Sequence, residues 1–68
     1  MNDDTFNMSV RKFLKHVGVH SQRQIESAVQ KALEEGRIKG NASFPVKMHL
    51  TAGDVKLDVT FDDRINLE

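Results

Sequence analysis

Between Val10 and Ile25 the chain carries a glycine at position 18 and, three residues later, a serine at position 21. Glycine accepts the left-handed backbone that ends a helix, and serine offers a hydroxyl to the free N–H groups that begin one. The pair predicts two helices meeting at a corner. The first helix is expected over residues 4–17, opened by Asp3 or Asp4, whose carboxylates suit the positive end of the helix dipole. Its apolar residues Phe6, Val10, Phe13, Leu14 and Val17 fall, at ~100° per residue, within a stripe about 100° wide. Met8, Arg11, Lys12 and Lys15 point away from that stripe. The second helix is expected over residues 22–35, where Ser21 and Gln24 have the spacing of a capping box. Ile25, Ala28, Val29, Ala32 and Leu33 line its inner face, and Gly36 supplies its stop. Val19 is expected to fill the corner between the two helices.

The apolar period then changes from that of a helix to that of a strand. Phe44, Val46, Met48 and Leu50 alternate with polar residues before Gly53-Asp54, and Val55, Leu57, Val59 and Phe61 alternate after it. Period two places each set on one face of a strand. The expected elements are a strand at 44–51 and a strand at 55–62, joined by a two-residue Gly-Asp turn. That turn sets Leu50 opposite Leu57, Met48 opposite Val59, Val46 opposite Phe61 and His49 opposite Asp58. Ile65 and Leu67 keep the parity of the second strand, so it is expected to run on past Asp63. The fold class is then α+β: a two-helix corner packed on a C-terminal antiparallel β-hairpin, in the order ααββ, as a single domain over residues 1–68.

A chain of 68 residues hides only roughly 60% of the surface that its unfolded form exposes. Below about 70–80 residues a lone core seldom supplies more than ~3–5 kcal/mol, and a disulfide, a metal or a partner chain usually adds the rest. With no cysteine in the sequence, the first of these devices is excluded, together with thiolate zinc sites. A homodimer or another protein partner, meeting the open strand edges or the Met8/Arg11/Lys12/Lys15 surface, would add the rest; the alternative is a monomer in which the chain around Ala42 and Ser43 folds over one edge of the hairpin. The acidic N-terminus lacks the basic region of a signal peptide, and no apolar run is long enough to span a bilayer. A soluble cytoplasmic protein without membrane contact is the expectation, and the lack of cysteine suits a reducing compartment.

Ten basic and ten acidic residues cancel overall but are unevenly placed. Residues 10–40 hold seven Lys/Arg against three Glu, a net +4, whereas residues 41–68 hold three Lys/Arg against five carboxylates, a net −2. Such asymmetry marks either an anionic partner or two oppositely charged parts that attract within one chain or between copies.

No residue set reads as a reaction centre. His16 and His20 have i,i+4 spacing, but a helix break at Gly18 would take them off a common face, so no metal site is expected. His49 facing Asp58 is a cross-strand charge pair of modest stabilising value. Asp62 and Asp63 are neighbours on a strand and point to opposite faces, which is unsuited to acid–base work. Nucleophile motifs, phosphate loops and glycine-rich fingerprints are missing. No enzyme activity, cofactor or small-molecule substrate is expected, and the main functional reading is a non-enzymatic protein-interaction module. The alternative is a nucleic-acid-binding winged-helix-like domain, because a helix corner followed by a hairpin is the order of that fold. Gln22, Arg23, Gln24, Ser27 and Lys31 would then be the contacts, presented by the second helix. Two helices in place of the usual three, and repulsion of phosphates by Glu26, Glu34 and Glu35, count against it.

The residues Thr5-Phe-Asn-Met-Ser-Val-Arg-Lys-Phe-Leu-Lys15, followed by Val17-Gly-Val19 and Ser21-Gln-Arg23, resemble the opening of a small bacterial family known only as a domain of unknown function. The likeness lies mainly in residues 4–33 and weakens through the hairpin. It implies a compact bacterial cytosolic protein and carries over no catalytic or ligand residues. His20 stands where a small hydroxyl residue is expected between Val19 and Ser21.

Overall fold

The computed structural model describes all residues from Met1 to Glu68. Its elements are one helix, α1 (Asp3–Glu34), and two strands, β1 (Ser43–Ala52) and β2 (Leu57–Asn66), joined by a short 3₁₀ turn at Gly53–Val55. The chain divides into two compact units, Met1–Arg37 and Ile38–Glu68.

The two-helix corner expected at Gly18 does not form, and the ααββ arrangement gives way to one helix followed by a two-stranded sheet. The separate helices at 4–17 and 22–35 are one element of 32 residues, about 48 Å long at 1.5 Å per residue. The physical reason is a comparison of costs. A glycine inside a helix costs about 0.5–1 kcal/mol relative to alanine. Breaking the helix there would strand four carbonyls on one side and four N–H groups on the other, all needing new partners. No proline enforces the break. Val17, Ser21, Ile25, Val29 and Leu33 moreover follow one another at four-residue steps, so the apolar stripe drifts around a single axis and runs through the supposed corner. Ser21 is a half-buried member of this row and not a cap, and Val19 is an exposed helical residue instead of a plug.

The two ends of α1 follow from their side chains. Asn2 is the N-cap, its Oδ1 accepting from the Thr5 N–H at 3.0 Å, with Asp3 and Asp4 in the first turn. The cap thus falls one residue before the expected one. At the other end Gly36 takes φ 74°, donating to the Leu33 carbonyl at 3.2 Å while Arg37 N–H donates to the Ala32 carbonyl at 2.9 Å. Those two bonds are the pair that defines a Schellman stop.

In the second unit the strands pair antiparallel over ten residues, with Phe44 opposite Ile65, Met48 opposite Phe61, Leu50 opposite Val59 and Ala52 opposite Leu57. This register lies two residues away from the expected one, and Val46 faces Asp63 instead of Phe61. A shift of two preserves the face of every side chain, whereas a shift of one would invert it. The cause is the connection. Four residues, Gly53–Lys56, replace the two-residue turn, and Lys56 takes the left-handed conformation at φ 54° and ψ 37°, donating its N–H to the Gly53 carbonyl at 3.1 Å. Val55 thereby leaves the ladder and stands 72% exposed.

The strand bounds differ from the expected 44–51 and 55–62 by one to four residues, and the expected run of the second strand past Asp63 is present. β1 begins at Ser43, and β2 begins at Leu57 and runs on past Asp63 to Asn66. The open end is tied by side chains: Ser43 Oγ donates to Asn66 Oδ1 at 2.7 Å, Arg64 Nε to Ser43 Oγ at 3.1 Å, and Arg64 Nη2 to the Ser43 carbonyl at 3.0 Å. Leu67 N–H continues the pairing onto the Ala42 carbonyl at 3.0 Å. No residue of the chain is buried.

Candidate functional site

Continuity of α1 decides where the polar side chains lie. At 100° per residue, Arg23, Gln24, Ser27 and Lys31 occupy an arc of about 100°, while Gln22 falls about 100° outside it. All five are exposed. They line the middle and end of one continuous helix, and the corner that would present them as a separate reading helix is absent, since α1 passes unbroken from Asp3 to Glu34. The winged-helix geometry is corrected accordingly.

The same continuity restores a relationship that a break at Gly18 would have destroyed. His16 and His20 share one face of α1, one turn apart, with ring centroids 4.4 Å apart and planes inclined at 55°. Neither ring takes part in a hydrogen bond or ion pair, in contrast to the third imidazole of the chain, whose Nε2 is occupied by a carboxylate. The signal was present as the spacing itself; the reading of Gly18 as a stop concealed it.

On the polar face of the hairpin, His49 stands opposite Thr60, and Asp58 stands opposite Thr51. The expected facing pair is therefore diagonal, yet His49 Nε2 and Asp58 Oδ1 meet at 2.7 Å. Diagonal neighbours are within reach of long side chains. Lys47 and Asp62, directly opposite, lie 4.0 Å apart and largely exposed. Asp63 lies on the other face, opposite Val46, and accepts from the Arg64 N–H at 2.8 Å. Asp62 and Asp63 so remain on separate faces. No three His, Asp or Glu side chains come together as a group. The hollow between Asp4, Thr5, Met8, Ser9 and Lys12 is the open flank of the first turns of α1 and encloses nothing.

The remaining feature is apolar. On α1, Phe6 is 52% exposed, Phe13 50% and Leu14 53%; on the hairpin, Met48 is 42% and Phe61 59% exposed. A single helix or a two-stranded ribbon cannot bury such side chains against itself, because each has one apolar face only. No helix is long and apolar enough to cross a membrane.

A family model described as a family of unknown function, DUF6494, matches residues 1–68, so the chain belongs to that family. The match takes in the hairpin as well as the helix. Neither the curated proteins nor the solved structures include a match to the chain.

Proposed function

We propose that this member of the DUF6494 family is a non-enzymatic interaction module whose helical apolar stripe closes against a second copy of the chain. The observation that carries this reading is that a chain with no buried residue displays Phe6, Val10, Phe13 and Leu14 on one side of its helix, each between 39% and 53% exposed. Fully burying a Val, Leu or Phe side chain is worth about 1.5–3 kcal/mol, so covering this stripe supplies stabilisation that a helix cannot supply alone. Steps of three and four residues suit packing of helix on helix. A second copy suits the charges too: residues 10–40 carry +4 and residues 41–68 carry −2, while the zero net charge sets up no long-range repulsion between copies. The absence of cysteine accords with a reducing cytosol as the place of action.

Sedimentation velocity of the tag-free chain over a hundredfold range of concentration tests the reading, with circular dichroism followed on the same samples. A sedimentation coefficient and helix content that rise together with concentration are the expected result, and Phe13→Asp should abolish both increases. A folded chain that sediments as a monomer throughout the range overturns the proposal. Retention on DNA that declines steeply with salt would favour the nucleic-acid alternative.

A further inference from the structure

We propose that His16 and His20 form a two-ligand site for a late first-row divalent transition ion such as nickel(II), copper(II) or zinc(II). Imidazole nitrogens are good ligands for these ions, and two histidines one turn apart on a helix are the spacing with which helices bind them bidentately. The structure places the two rings side by side because α1 runs without interruption through Gly18, bringing them to 4.4 Å between centroids. With metal–nitrogen distances near 2.0–2.1 Å, two imidazoles at right angles about one ion have centroids about 4.5 Å apart. The rings are therefore close to a cis-coordinating separation before any ion arrives. Both side chains are exposed, and no protein hydrogen bond occupies either ring.

The surroundings define what such a site does. Val17 follows His16, where the zinc-protease pattern has a glutamate as general base, and no third His, Asp or Glu joins the pair. The remaining coordination positions are thus left to water or to a group from another molecule, which makes the site a binding site and not a hydrolytic centre. Lys12 lies one turn before His16, and Arg23 three residues after His20, so the local charge opposes a cation and the coordinate bonds must supply the affinity. An exchangeable ion is the consequence. The midpoint of the pair lies about a quarter turn from the centre of the Phe6–Val17 stripe, with His20 about 20° from the stripe's edge at Phe13.

The test is a calorimetric titration of the full, tag-free chain with nickel(II) alone, repeated on His16→Gln, His20→Gln and His49→Gln. The expected result is one ion per chain for the parent, an affinity at least about tenfold weaker in each of the first two variants, the scale on which loss of even supporting groups acts, and no change in His49→Gln. Circular dichroism supplies a second readout: because the ion clamps one helical turn, nickel should raise the thermal midpoint of the parent and leave that of His16→Gln unmoved. Equal affinity in the parent and His16→Gln, absence of binding at millimolar nickel, or loss on His49→Gln alone would overturn the proposal.

Discussion

His49 reaches Asp58 at 2.7 Å across a diagonal of the hairpin, although the register places His49 against Thr60. The side chains are 57% and 74% exposed, and contacts between such exposed groups contribute about 0–1 kcal/mol. A double-mutant cycle with His49→Ala and Asp58→Ala, read by chemical unfolding, should return a coupling below about 1 kcal/mol. A coupling of several kcal/mol would mean that the pair is enclosed in solution.

Gly18 occupies the interior of α1, and a Cβ built on it meets nothing within 4 Å. Gly18→Ala should therefore stabilise the helix by about 0.5–1 kcal/mol, since alanine costs less than glycine in a helix interior. Helix content measured under dilute conditions should rise. A decrease would show that the chain does bend or end at this position.

Lys56 carries the one positive φ among the non-glycine residues, a conformation that costs an L-residue roughly 1–2 kcal/mol. Substituting Lys56→Gly removes that cost while adding about 0.5–1 kcal/mol of chain entropy to be lost on folding. A net gain in hairpin stability of up to about 1 kcal/mol is expected, visible as slower amide exchange in β1 and β2. Faster exchange would place the turn elsewhere, at the two-residue Gly53-Asp54 connection.

Gly36, at φ 74°, is the other left-handed position. Gly36→Ala keeps the helix-forming residues of α1 intact but strains the bond pair onto Leu33 and Ala32, and should cost about 1 kcal/mol. The loss should be confined to the last turn of α1, so amides near Arg37 should exchange faster while those near Val10 stay as they were.

Much of the architecture was legible in the residues themselves. The strand period of residues 44–61, the stop at Gly36 and a start beside Asp3 and Asp4 all rest on patterns within a few positions of one another, and the structure contains them with the cap one residue earlier, at Asn2. The meeting of His49 with Asp58 was also legible, because a shift of two residues keeps both side chains on one face. The shared face of His16 and His20 was present in their spacing and was obscured by taking Gly18 as a stop.

Composition and period by themselves determined the class of each segment: helix-forming residues with apolar stripes up to residue 35, alternating ones from Phe44 onward, and no thiol to staple them. Only the folded chain decided whether α1 passes through Gly18 and how β1 sits against β2. The reason is that both outcomes are settled by small differences between large terms. One interior glycine is set against eight stranded backbone groups, and a left-handed Lys56 against the ladder that ends at Ser43 and Asn66; local patterns show the candidates in each contest without showing which is lower in free energy.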